Sequence, residues 1–362
     1  MNTLVLSADH IAQLVEAVGL DRLMDDTIDA LHAVLASSDA ATIFDVPKRE
    51  GFAYSAPASG LLEWMPLHRR ESETFLKLVG YHPDNPSQQQ LPTVLCSLLQ
   101  FDAANGRLET LADGTLATAV RTGAASAVAS RVLASPGAQT LGLIGAGAQA
   151  LTQLHALSRV FALRDVYVCD ADPAVAASFA ARAALLALED VRFHVASAEQ
   201  VAANAEVLCT VTSVAVGEPA VFADTTLKPG IHINAVGSDF PGKTELPLAV
   251  LERSLVCPDY RAQALHEGES QRLQEHVLGP ELIDLVHGAE QYAAHQASAT
   301  VFDSTGFALE DYVVLGVLRR IALEHSIGAW LPMSGSADPL NPYAGLRAMP
   351  TSLRDVTPQR KG

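Results

Sequence analysis

The stretch Thr140-Leu141-Gly142-Leu143-Ile144-Gly145-Ala146-Gly147-Ala148-Gln149-Ala150-Leu151 constrains the fold of this chain more than any other. A short apolar run, a glycine turn and a continuation through Gln153, Leu154, Ala156 and Leu157 predict a buried strand, a tight turn and a helix start. Each small residue in Gly145-x-Gly147-x-x-Ala150 has a physical reading. Gly145 permits the sharp turn, Gly147 lets the backbone approach a pyrophosphate, and Ala150 keeps the helix close to the strand. Unpaired N–H groups at the helix start, around Ala148 and Gln149, then face the phosphates. A second strand, 166–169, ends in Asp170, about 20 residues past the turn, where an adenosine ribose offers its hydroxyls. Asp170 accepts both hydrogen bonds and repels a 2′-phosphate. The pattern therefore reads as an NAD site rather than an NADP site.

From residue 140 onward, strand-like runs at 140–144, 166–169, 191–195, 206–211, 231–236 and 254–257 alternate with helical segments. A last strand and helix are expected near residues 304–311. That alternation predicts an α/β fold with a Rossmann-type doubly wound parallel sheet. Ligands bind such sheets at the carboxyl ends of the strands, which draws attention to Thr210, Thr212 and Ser213 after the fourth strand. Before residue 125 the pattern differs. A short strand at 4–6 precedes two amphipathic helices, capped by Ser7 and running to about residue 35. Strands at 61–66 and 74–80 follow, then a hairpin of 94–101 and 108–112 around Asn105-Gly106. This reads as an α+β unit, and 362 residues exceed what one core usually covers. The expected division is 1–125, joined by about 320–362, as a substrate-binding and dimerisation domain, with 126–319 as the NAD-binding domain. The tail after about 332, rich in Pro, Gly and Asn, is expected to be partly ordered or to wrap a neighbour.

The net charge of −17, with no basic cluster to offset it, argues against nucleic acid and anionic membranes as partners. Cys96, Cys169, Cys209 and Cys257 have no paired spacing and read as buried free thiols, which with the absence of a signal pattern predicts a cytoplasmic protein. His82, His155 and His232 lack metal-ligand spacing, so no metal is expected, and the serine-hydrolase elbow is absent. Lys77 interrupts a run of strand formers and shares a face with Phe75 and Val79, so it either snorkels or faces a site.

Taken together, Glu63-Trp64-Met65-Pro66, Lys77-x-Val79-Gly80-Tyr81, Arg121 to Ala129, Gly145 to Ala150, Asn234 to Asp239, Pro241 to Leu246, Glu267-Gly268-Glu269 and Phe302 to Gly306 resemble the ornithine cyclodeaminase and mu-crystallin family. The nearest likeness is to its lysine-cyclising members. The resemblance implies an NAD-dependent cyclodeaminase acting on a small basic L-amino acid, with L-lysine to L-pipecolate first and L-ornithine to L-proline next. Its relatives also include amino-acid dehydrogenases and cyclic-ketimine reductases. The implied chemistry removes a hydride from the α-carbon, closes the ring with loss of ammonia and returns the hydride. The resemblance further implies that Arg49, Lys77 and Arg121 hold the α-carboxylate, that Asp239 is the acid/base, and that Glu63 and Glu267 face the distal amine. Gly145, Gly147, Ala148, Gln149, Asp170, Thr210, Thr212, Ser213, Val236 and Ser304 would hold the cofactor, and the protein would be a homodimer. Each polar residue has a structural rival. Arg121 either binds substrate or pairs with a buried carboxylate, Asp239 acts or caps a turn, and Glu267 and Glu269 act or form a solvated acidic face.

Overall fold

The strict alternation before residue 113 and the continuous apolar runs after residue 140 produce two different sheets in the computed structural model. The structure describes residues 2–224 and 227–333, together with 340, 341 and 343. Most of the tail expected to wrap a neighbour lies outside the described residues. The first sheet contains β1 (Thr3–Leu6), β2 (Phe44–Asp45), β3 (Glu50–Tyr54), β4 (Gly60–Arg69), β5 (Glu73–Tyr81), β6 (Val94–Asp102), β7 (Leu108–Asp113) and, returning late in the chain, β15 (Ala329–Leu331). Its order is β15-β1-β7-β6-β5-β4-β2, with β3 also on β4; all pairs are antiparallel except β1 with β7.

The second sheet is wholly parallel: β8 (Thr140–Ile144), β9 (Asp165–Cys169), β10 (Arg192–Val195), β11 (Val207–Thr210), β12 (His232–Ala235), β13 (Leu255–Pro258) and β14 (Thr300–Asp303). The order β10-β9-β8-β11-β12-β14-β13 reverses direction between β8 and β11, which opens the ligand-binding crevice of a doubly wound sheet. The last strand lies earlier than expected. Thr300–Asp303 forms it, fully buried between β12 and β13, and Ser304–Phe307 is the turn before the helix Ala308–His325. Gly306, at φ 80°, makes that turn possible.

The helix Thr115–Leu133 joins the two sheets and is buried almost all round, as a helix with little amphipathic character must be. It runs through the expected division at residue 125. Its small residues permit this burial: a Cβ on Gly123 would lie 2.5 Å from the carbonyl oxygen of Thr152, on the helix that follows the glycine turn. Below it, His232 is held between Ser130 Oγ (3.0 Å) and Thr300 Oγ1 (2.9 Å), and Asn234 donates to the same Ser130 oxygen at 3.1 Å. Burial drives the His232 pKa down to about 3, so the ring stays neutral in the folded protein. The unfolded chain takes up this proton below about pH 6.5, so the contribution is present above that pH and is lost as pH falls toward 3. Chemical denaturation of His232→Asn across pH 3–7 should therefore show a shallower acid slope than the parent, and an identical slope would refute this account.

Among the described residues, no helix is long and apolar enough to cross a membrane. All four cysteines are free and buried.

Candidate active site

The inward face of β4 and β5 looks across a cleft at the carboxyl ends of β8, β11, β12 and β14, enclosing a cavity of about 630 Å³. Alternation places Glu63 and Met65 of β4 and Lys77, Val79 and Tyr81 of β5 on that face. Arg121 and Thr122 enter from the central helix, and Asp239 and Lys243 from the loop after β12. Arg49 reaches in from the segment between β2 and β3.

Lys77 is 1% exposed, which excludes snorkelling. Its ammonium lies 2.8 Å from Asp311 Oδ1, and the Arg121 guanidinium contacts the same oxygen at 3.2 Å while also pairing with Glu310. Burial pulls the Lys77 pKa below the usual lysine range, and Asp311 opposes that pull. For Arg121, burial alone would also favour the neutral form, but Asp311 and Glu310 outweigh it and keep the guanidinium charged. Arg121 pairs with buried carboxylates, as its structural reading expects, and it also lines the cavity. A Cβ on Gly306 would collide with its guanidinium, so the turn before the last helix must be glycine at this point.

Arg49 pairs with Glu267 and lies 3.7 Å from Glu63, and it donates to the carbonyls of Asp239 (3.1 Å) and Thr305 (3.3 Å). These contacts tie an arm of the antiparallel sheet to the parallel-sheet side of the cleft. Burial raises the Glu63 pKa, Arg49 lowers it and the Asp239 charge adds to the rise. Asp239, half exposed, is 2.9 Å from the ammonium of Lys243.

Glu267 departs from expectation. It is 3% exposed, stands behind Arg49 rather than on the cavity wall, and also accepts from Gln263. Glu269 is fully buried, accepting from the backbone N–H groups of Glu245 (2.5 Å) and Leu246 (3.2 Å). The solvated acidic face is therefore corrected: these carboxylates sit inside because backbone donors and arginines satisfy them there.

The parallel-sheet side fits a dinucleotide. Gly145 adopts φ 93°, and a Cβ there would lie 2.7 Å from Val211 O. At Gly147 a Cβ would meet nothing within 4 Å, which leaves an open cradle over the helix Ala148–Ser158. No side chain caps that helix, so its first N–H groups remain available to an anion. Asp170 accepts from the N–H of Ala146 (2.8 Å) and of Asp172 (2.9 Å), which fixes its carboxylate and leaves lone pairs for ribose hydroxyls. Gln149, Thr212, Ser213, Val236 and Ser304 line the cavity, whereas Thr210 is fully buried behind it. Ser304 Oγ is buried with no hydrogen-bond partner, an orphan that a bound group would satisfy. Glu245 accepts from the N–H and hydroxyl of Thr212 (both 2.6 Å) and from Gly237 N–H (2.9 Å), and so fixes the loops after β11 and β12.

Lys243, Glu245, Glu310 and Asp311 are the functional neighbours that sequence reading did not single out. The available signal was an adjacent acidic pair opening the largely apolar helix Ala308–His325, and a lysine four residues after Asp239.

Residues 8–326 match the model of the ornithine cyclodeaminase/mu-crystallin family. An L-lysine cyclodeaminase of Streptomyces rapamycinicus is 41% identical over 345 residues, 95% of this chain and all of that protein. A solved structure concerned with the recognition of L-lysine, L-ornithine and L-2,4-diamino butyric acid by lysine cyclodeaminase superposes with TM-score 0.91 at 47% identity, covering 95% of this chain and 99% of that one. An archaeal alanine dehydrogenase dimer with bound NAD superposes with TM-score 0.82 at 28% identity, over 92% of this chain and all of that one.

Proposed function

The chain belongs to the ornithine cyclodeaminase/mu-crystallin family, and on that premise we propose that it converts a basic L-amino acid to a cyclic imino acid and ammonia, L-lysine to L-pipecolate first and L-ornithine to L-proline next. The observation that carries this reading is the meeting of Arg49, Lys77 and Arg121 with Glu63 and Asp239 around one cavity, beside a dinucleotide cradle. NAD, when bound, supplies a hydride acceptor early in each turnover and a hydride donor at its end, so the reaction has no net redox change.

The residues then divide the work. Arg49, Lys77 and Arg121 hold the α-carboxylate and fix the α-carbon, the guanidinium forks matching a planar anion. Asp239 takes and returns protons at the substrate nitrogens, and Glu63 orients the distal ammonium. Glu267 braces Arg49 from behind.

Incubation with L-lysine or L-ornithine and catalytic NAD tests this. Pipecolate or proline should accumulate with ammonia and without NADH. Stoichiometric NADH would favour the amino-acid dehydrogenase reading, for which the alanine dehydrogenase likeness speaks, and consumption of NADH with a cyclic ketimine but no turnover of the diamino acids would favour the ketimine-reductase reading. Asp170→Ala should weaken NAD about ten- to hundredfold by removing charge-assisted hydrogen bonds, and should narrow the preference over NADP. An unchanged preference in a binding titration would overturn that role.

The reading extends to a homodimer. The outward face of the antiparallel sheet exposes Phe52, Leu62, Leu78 and Leu95, an apolar surface that a second copy would cover. It also extends to residues 1–125, with about 320–362, as the substrate-binding and dimerisation unit and 126–319 as the NAD-binding unit. The return of β15 to pair with β1 supports that grouping. Four free buried thiols support a cytoplasmic setting.

A further inference from the structure

Along β4 and β5 the charged side chains end before the cavity does. Along the antiparallel sheet, Lys77 lies opposite Met65, Glu63 opposite Val79 two residues on, and Leu61 opposite Tyr81 two residues beyond that. Each step is about 7 Å along the strands. The first carries a cation and the second a carboxylate, as a short diamino acid bound from acid group to distal amine requires. The third carries no charged side chain on either strand: Leu61 is flanked by Ala53 on β3 and, across Tyr81, by Val94 on β6, with the Tyr81 phenol near Asp239 and Lys243 of the facing loop. From the opposite wall Val214, Val216 and Phe240 bring more apolar surface to the same cavity. Val216 and Phe240 are 56% and 37% exposed, apolar surface available to a ligand group that reaches past Glu63.

We propose, resting on the cyclodeaminase reading, that this outer chamber takes a small alkyl group on the distal nitrogen. Secondary diamino acids such as Nε-methyl-L-lysine are then substrates, yielding N-alkyl cyclic imino acids. The steps balance. The α-carbon gives up its hydride and the α-nitrogen a proton, forming the α-imine. The secondary nitrogen forms the ring C–N bond with its lone pair, and the α-nitrogen takes the released protons and leaves as ammonia. The ring nitrogen is left as an N-methyl iminium, and return of the hydride to the α-carbon gives N-methyl-L-pipecolate. The cofactor is unchanged over the cycle, so no outside oxidant is needed.

The test compares L-lysine with Nε-methyl-L-lysine on the full chain with catalytic NAD, reading ammonia release and N-methylpipecolate by mass spectrometry. The kcat/KM for the methylated substrate should lie within about tenfold of that for L-lysine, the scale of one methyl group in a pocket. Ala53→Phe, at an exposed edge-strand position, should fill the chamber and lower the methylated-to-parent ratio about tenfold or more. Cyclisation of L-lysine with none of Nε-methyl-L-lysine would overturn the proposal, as would an Ala53→Phe variant with an unchanged ratio. Failure on both L-lysine and L-ornithine would instead strike the cyclodeaminase reading itself.

Discussion

Asp239→Asn is expected to lower turnover by about 10²–10⁴-fold while NAD still binds with its parental affinity. The substitution keeps shape and removes the ability to exchange a proton. Asp239 is half exposed, and its described partner is Lys243 at 2.9 Å, so the fold has little to lose. The α-nitrogen and distal nitrogen must each change protonation state during ring closure, and Asp239 is the carboxylate on the cavity wall nearest solvent. The measurement is steady-state kinetics with L-lysine beside a fluorescence titration of NAD. Normal turnover would remove Asp239 from the chemistry, and lost NAD affinity would recast it as a cofactor residue.

Arg121→Met should cost about 3–5 kcal/mol of stability as well as activity, because among the described residues it leaves Glu310 in the core without its guanidinium partner and Asp311 with Lys77 alone. The side chain is only 7% exposed, so water does not replace the lost charge. Removing a carboxylate together with the guanidinium separates the two roles. Arg121→Met with Glu310→Leu should regain most of the stability, since a buried ion pair exchanged for apolar groups of similar volume is often neutral. It should stay inactive, because the fork for the substrate carboxylate is gone. Denaturant midpoints and turnover measured on the same samples decide it. A single variant as stable as the parent, or an active double variant, would contradict the account.

The chain announces its folding units through local patterns. Gly145 and Gly147 mark the turn because only a residue without Cβ fits against Val211 O or leaves the cradle open. The alternation around Lys77 and Glu63 put both on one side of their strands, since side chains in a sheet repeat every two residues. The resemblance carried by those same segments brought Arg49, Arg121 and Asp239 to the list of site residues. Glu310 and Asp311 were legible only as acidic residues opening a helix. That they neutralise Lys77 and Arg121 depends on pairs 234 and 189 residues apart in the chain.

Glu267 shows the same limit from the other side. Its place in a recognised segment suggested contact with substrate, but packing of the helix Arg261–Glu267 against the arm carrying Arg49 turned it into a brace. By itself, then, the sequence determined the two sheet types, the dinucleotide turn and the chemical identities of the groups at the site, because periodicity and glycine sterics act over a few residues. Only the tertiary structure decided which charges meet and which stay buried. Electrostatic pairing in a dry interior depends on separations of a few ångströms between segments that the chain order keeps far apart.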